Sequence, residues 1–158
     1  MKTGLRYELR GRLDSLNAQI ILLQSHSENE EYIADLEEVR GVVNELQKCE
    51  ARSQNFTGKM ILWGLDEDEI HTRSHNPDKF YELGHILPHR EMKHEAAEIN
   101  FLRTLVREIE LVAYKIFAPE DSLMIAHVLN RLSSALYILT YKYLPAGYNR
   151  TINFHERQ

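Results

Sequence analysis

Proline occurs at only four positions in this chain, 77, 88, 119 and 145. Each proline removes a backbone donor and disfavours a helical turn before it. The residues between them are therefore free to form long helices. From Leu5 to about Gln24, apolar residues recur at Leu9, Leu13, Leu16, Ile20 and Leu23. Steps of three and four place them on one helical face. A polar gap, Ser25 to Glu30, precedes a second stripe from Glu31 to about Arg52, with Ile33, Leu36, Val39, Val43 and Leu46. A third helix is predicted from His94 to Phe117, breaking at Ala118-Pro119. A fourth is predicted from Pro119-Glu120-Asp121 to about Tyr143, with Leu123, Val128, Leu132, Leu136 and Leu139 as its stripe. Its opening acids suit a helix N-terminus, and Pro145-Ala146-Gly147 ends it.

Asn55 to Pro88 differs. It holds Gly58, Gly64, Gly84, two prolines and many acids and histidines. It reads as a long, partly structured connection with a short helix over Asp66 to Ser74. Connections of this length in compact domains usually carry function. Strand alternation and internal repeats are absent. The pattern predicts an all-α chain: an antiparallel four-helix, ferritin-like bundle with a long crossover between helices 2 and 3. Residues 1–158 read as one domain, with 144–158 a polar tail expected, from Tyr148 on, to fray or dock on a neighbour.

The 158 residues suffice for one sizeable core. A net charge of −5 argues against a non-specific nucleic-acid binder. The single cysteine, Cys49, excludes a disulfide framework and a cysteine-only zinc site within one chain, and fits a cytoplasmic location. No apolar run approaches the roughly 20 residues that span a bilayer. No apolar signal-peptide core follows Met1-Lys2-Thr3-Gly4-Leu5-Arg6.

Arg103 and Arg107 lie four apart and share a helix face, with Glu110 three further on. Two guanidinium groups on one face repel unless an anion lies between them. A triphosphate is such an anion, and the planar guanidinium fork bonds phosphate oxygens in pairs. Ordinary ion pairs with Glu108, Glu110 or a neighbouring helix are the competing reading. Asn130, between Leu129 and Leu132, is expected to be half-buried. It either reads an adenine or ribose or bonds across helices, and spacing alone favours the cross-helix bond.

His71 and His75 are spaced four apart; His85, His89 and His94 follow, while His26, His127 and His155 carry no pattern. Asp68-Glu69-Ile70-His71 and Glu91-Met92-Lys93-His94 are acid-x-x-His units of the kind that occur in di-iron bundles. Both flank the connection rather than an apolar helix face, and further carboxylate ligands are not evident. No metal site is therefore assigned, and surface or loop histidines are the default. Trp63, Phe80 and Tyr81 either line a pocket or anchor the connection to the bundle. Tyr137, Tyr141 and Tyr143 are expected in bundle packing or subunit contacts.

The segments carrying Arg103, Arg107 and Glu110, and Asn130-Arg131-Leu132-Ser133-Ser134, resemble the third- and fourth-helix motifs of the cobalamin adenosyltransferases. Those motifs are an Arg followed four residues later by Arg-Arg and then a Glu, and Asn-Arg-Leu-Ser-Asp. Here Glu108 replaces the second Arg of the pair and Ser134 replaces the Asp. Leu13-Asp14-Ser15-Leu16-Asn17 is similar to the family's Asp-Glu-Leu-Asn. Gly64-Leu65-Asp66-Glu67-Asp68-Glu69-Ile70-His71 and Ser74-His75-Asn76-Pro77 resemble the ethanolamine-utilisation branch, of which the two departures look typical. The resemblance runs from about Leu5 to Tyr143.

The resemblance implies an ATP:cob(I)alamin adenosyltransferase with a cobalamin adenosyltransferase-like bundle. Its product would be adenosylcobalamin, used in ethanolamine utilisation. It implies a homotrimer with sites at subunit interfaces, ATP held by arginines and Mg²⁺, a flavodoxin-type reductant, and an association with a bacterial microcompartment. Arg103 and Arg107 would be the catalytic cations. Arg107, Glu110 and Asn130 would hold ATP, and Asp14 would pair with Arg103 across subunits. His85 in His85-Ile86-Leu87-Pro88 stands where the family has an aromatic residue that displaces the corrinoid's lower base. It would act there as a flat wedge or ligate cobalt itself. The family's Gly- and Thr-rich ATP segment would precede Leu5, and the branch's metal-binding His and Cys cluster has no counterpart here. The chain is thus expected to be a shortened variant, a fragment or one partner of a split protein. The alternative function is a non-catalytic relative that binds corrinoid or stabilises a partner.

Overall fold

The structure, a computed structural model, describes residues 2–54, 56–117 and 124–152. Six α-helices account for most of them: α1 Lys2–His26, α2 Glu30–Ala51, α3 Glu67–His75, α4 Pro77–Tyr81, α5 Lys93–Ile116 and α6 Met124–Tyr143. A single 3-10 turn, Arg90–Met92, leads into α5. Among the described residues extended pairing is limited to two isolated bridges, Leu62 with Leu65 and Ile86 with Thr151. The all-helical expectation therefore holds. The predicted start of the fourth helix at Pro119, and Leu123 with it, lie outside the described residues.

The apolar stripes do what their spacing requires. Leu9, Leu13, Leu16 and Ile20 are fully enclosed and meet Leu36, Val39, Val43 and Leu46 of α2 in one core. Leu102, Val106 and Ile109 of α5 and Leu129, Leu132 and Leu136 of α6 complete it. Packing runs from α2 to α1, α1 to α5, α5 to α6 and α6 back to α2. No helix of the described residues is long and apolar enough to cross a membrane.

Local chemistry sets the helix starts. Asn29 caps α2 by accepting from the backbone N–H of Glu31 at 3.1 Å and Tyr32 at 3.3 Å. Asp66 and Glu69 form a reciprocal capping box at α3. Pro77 opens α4, where its missing donor costs nothing. The short helix expected over Asp66 to Ser74 is thus α3, and it packs on α6.

The connection is anchored before α3 by a tight turn. Leu62 and Leu65 pair through both backbone bonds, with Trp63 and Gly64 between them at positive φ. Trp63 accepts that backbone because it is held twice on α2. Its indole N–H donates to the Asp35 carbonyl at 3.2 Å, and its backbone N–H to Glu38 at 3.0 Å. Asp35 is a buried carboxylate that the apolar pattern did not flag. It accepts from Lys142 Nζ at 2.8 Å and from the Tyr143 hydroxyl, joining α2 to the end of α6.

Of the polar tail from Tyr148, expected to fray or dock on a neighbour, residues 148–152 lie against their own chain, and 153–158 lie outside the described residues. The Leu87 N–H donates to the Arg150 carbonyl at 3.1 Å, and the Ile152 N–H to the His85 carbonyl at 2.8 Å. Arg150 holds Glu91 through two bonds, at 3.0 and 3.2 Å. This strap fixes the loop 85–91 against the C-terminal half of α6, over a small second core of Ile86, Met92, Ala96 and Tyr141.

Candidate active site

A cleft of about 370 Å³ opens where α5, α6, the end of α3, the loop 85–88 and the strap converge. Asn100, Arg103 and Arg107 line it from α5. Ser133, Ser134, Tyr137 and Thr140 line it from α6. Ser74, His85, Ile86, Pro88 and Ile152 close the remaining sides. Among these residues the two arginines supply the fixed charge, and no carboxylate faces the cleft. The lining mixes cationic and hydroxyl side chains with apolar and aromatic ones.

Arg103 is half-buried, and its Nε and Nη2 both donate to the Asn100 side-chain oxygen, at 3.1 and 3.0 Å. Among the described residues it has no ion pair. Burial, and then the charge of Arg107, lower its pKa from the ordinary guanidinium value. A half-buried cation held, among the described residues, only by an amide is a place where an anion would be welcome. Arg107 is 63% exposed and stands 3.8 Å from Glu110, whose side chain is 8% exposed.

Glu110 and Asn130 form a pair behind the arginines. Asn130 Nδ2 donates to Glu110 Oε2 at 3.0 Å, and Arg131 Nη1 donates to Asn130 Oδ1 at 3.1 Å. The cross-helix bond that spacing favoured for Asn130 is therefore present. Neither residue lines the cleft itself. Both lie one helical turn from residues that do, Arg107 on α5 and Ser133 and Ser134 on α6.

Asp14 is not brought to Arg103 within the chain. It is exposed on α1, in a separate groove with Tyr7, Arg10, Gly11 and Gln47. His85 does line the cleft, where its Nδ1 lies 2.7 Å from the Tyr137 hydroxyl and its ring stacks on that tyrosine. Tyr137 touches Tyr141 at 3.2 Å, and Tyr141 donates to the Gly84 carbonyl at 2.7 Å. Tyr137, expected in packing or subunit contacts, packs against the second core and also walls the cleft. With Thr140 it continues the polar face begun by Asn130, Ser133 and Ser134, in steps of three and four. That face was readable from spacing; the contributions of Asn100 and Ile152 were not.

Trp63 anchors the connection, as described, and Tyr81 stacks on Tyr141 at 4.9 Å. The His71 and His75 rings lie 4.3 Å apart on α3, and burial, with Arg131 adding to it, lowers the His71 pKa. His89 accepts from the Glu91 N–H at the 3-10 turn, and His94 faces the α1–α2 turn with Glu95 and Glu98. Among the described residues no three His, Cys, Asp or Glu side chains are grouped to hold a metal ion.

Residues 1–143 match the family of cobalamin adenosyltransferases. The chain belongs to that family. It is 32% identical over 142 residues to the corrinoid adenosyltransferase EutT of Salmonella typhimurium strain LT2. It is 30% identical over 142 residues to the protein of the same name from Escherichia coli K12. Each comparison covers 87% of this chain and 52% of the relative, so the chain spans about half the length of these family members. No solved structure matches it. The strap that walls the cleft lies beyond the stretch the family pattern covers.

Proposed function

We propose that the protein is an ATP:cob(I)alamin adenosyltransferase serving ethanolamine utilisation. The observation that carries this reading is the cleft itself: among its described lining residues Arg103 and Arg107 stand without a carboxylate, beside hydroxyl side chains, His85 and the apolar Ile86, Pro88 and Ile152. Such a cleft suits a substrate pair of one polyanion and one large, flat, mostly apolar ring. In the reaction, Co(I) attacks the ribose 5′ carbon of ATP. A Co–C bond forms, the C5′–O bond breaks, and triphosphate leaves with the electron pair. Charge builds on the leaving group, where Arg103 and Arg107 would oppose it. Glu110 and Asn130 would brace Arg107 and contact the nucleotide. His85, in the position of the family's aromatic residue, would meet the corrinoid.

Mg²⁺ fits this site only as a companion of the phosphates. The described residues offer it no cage of carboxylates, and Mg²⁺ commonly arrives with most of its ligands from phosphate and water. We read the four long helices as an antiparallel bundle with residues 52–92 as its crossover. We read Asp14 as the counter-charge for Arg103 of a neighbouring copy in a homotrimer. A flavodoxin-type protein would supply the electron that makes Co(I), in the cytoplasm or beside a microcompartment.

Titration calorimetry with ATP tests the reading. Wild type should bind, and Arg107→Ala should bind at least about tenfold more weakly, the worth of one charge-assisted hydrogen bond. Unchanged affinity in the variant would remove Arg107 from the site. A wild-type chain that binds corrinoid but not ATP would favour the non-catalytic alternative.

A further inference from the structure

We propose that Asn100 is a positioning residue for Arg103: its neutral amide holds the guanidinium in one orientation and leaves the positive charge for an oxyanion of the substrate. The inference deepens the reading above and rests on it only for what that oxyanion is.

The donor count of one turn of α5 carries it. Asn100 and Arg103 are three residues apart on one helix face, and both line the cleft. A guanidinium has five N–H donors and no acceptor. Two of them, one on Nε and one on Nη2, converge on Asn100 Oδ1 at 3.1 and 3.0 Å. Because Arg103 can only donate, the amide must turn its oxygen toward it, and two donors fill that oxygen's two lone pairs. Among the side chains of this turn, three N–H of Arg103 and two of Asn100 are left, and no acceptor. A group that meets them must therefore accept, as a phosphate or carboxylate oxygen does. The N–H left to Arg103 are two on Nη1 and one on Nη2. They include the end-on fork, which bonds two oxygens at once.

The chemistry of the holder is a second point. Two arginines of α5 each have a partner three residues away. Arg107, mostly exposed, faces the Glu110 carboxylate at 3.8 Å. Arg103, half-buried, is held by an amide instead. A carboxylate at position 100 would hold the same side of the guanidinium and cancel its charge. An amide holds it and cancels nothing. Burial and the charge of Arg107 both work against the Arg103 cation, and a holder that accepts from the charged form offsets them.

Order follows from the same contact. A long arginine side chain loses rotamer freedom when a ligand fixes it. Asn100 removes part of that freedom before the ligand arrives, and does so within one helix. The three remaining N–H can serve both an Asp14 carboxylate from a neighbouring copy, as read above, and an oxygen of the triphosphate, since neither displaces Asn100.

The test uses the full chain with ¹⁵N-labelled arginine. Without ligand, proton–nitrogen spectra of the guanidinium report whether the Arg103 Nε–H is held, and Arg103→Lys assigns its signal. Wild type should show a sharp Nε–H signal that exchanges slowly with water. Asn100→Ala should broaden or lose it, and Asn100→Asp should keep it. In a second arm, inorganic triphosphate and ATP are titrated by calorimetry. Asn100→Ala should weaken both about two- to tenfold, the effect of ordering one long side chain on binding. Asn100→Asp should weaken both further, about ten- to a hundredfold, although it still holds Arg103. In an Arg103→Lys background, which lacks the fork, Asn100→Ala should change affinity by less than about twofold. An Arg103 signal identical in wild type and Asn100→Ala overturns the proposal, as does an Asn100→Asp protein that binds triphosphate as tightly as wild type. Equal losses from Asn100→Ala in both backgrounds would make Asn100 a direct contact and also overturn it. Wild type that binds triphosphate and not ATP sinks the adenosyltransferase reading and leaves the role of Asn100 standing. Wild type that binds neither overturns both.

Discussion

Glu110 is a carboxylate placed where a helix core would otherwise hold an apolar side chain. Burying it is costly unless its oxygens are bonded. Asn130 bonds one and Arg107 faces the other. Removing the carboxylate leaves the Asn130 amide without its acceptor. Glu110→Ala is therefore expected to cost about 1–3 kcal/mol in urea unfolding, and Glu110→Gln, which keeps an acceptor, distinctly less. At the strap, the Arg150 guanidinium holds the exposed Glu91 carboxyl below the ordinary carboxylate range. A lowered folded-state pKa means that the pair helps above the unfolded value of about 4.3 and is lost as pH falls through the lowered one. Carboxyl-carbon NMR titration should show Glu91 turning at lower pH than a free glutamate. Arg150→Ala should return it to the ordinary range.

Among the elements, α3 is the one whose start rests on a single short motif. Asp66→Ala removes the capping box and is expected to cost about 1 kcal/mol. Because Ser74 at the other end of α3 lines the cleft, the same change should also weaken ligand binding, measurable in one calorimetric series. The short helix over Asp66 to Ser74 was expected, but the capping box at its start was not read, although capping leaves residues at fixed offsets. The stripes of α1 and α2 were legible because burial repeats every three or four residues. The strap was not. It pairs through backbone groups, which leave no residue pattern, and its side-chain ties join Arg150 to Glu91, 59 residues apart, and the Tyr148 hydroxyl to the Leu87 carbonyl, 61 apart. Asp35 escaped notice because its partners, Lys142 and Tyr143, lie more than 100 residues away. Of the candidate site, the charged residues were legible from their helical spacing. The walls contributed by Asn100, Tyr137 and Ile152 depend on where the helices meet, which spacing along one helix does not encode.

For the whole molecule, Arg103 and Asp14, neither of which has an ion pair among the described residues, line separate grooves of one chain. If copies of the chain satisfy each other, light scattering should report a species larger than monomer, with a mass fitting three chains. Arg103→Ala should then weaken assembly together with ATP binding. A monomer across a wide concentration range would count against the interface. The cleft also has a history within each molecule. The contacts of α1 with α2 are between neighbours in the chain and can form as soon as both helices exist. The cleft draws its walls from Ser74 to Ile152, and the α2–α6 clasp at Asp35 closes over 107 residues. During synthesis, then, the hairpin of α1 and α2 can be in place while the site does not yet exist. Ligand can enter only a chain that has already been made as far as Ile152 and folded back on itself. If the cleft takes corrinoid, its capture is thereby reserved for chains that have reached Ile152, and a stalled or nicked chain that keeps only its first two helices should have none of it.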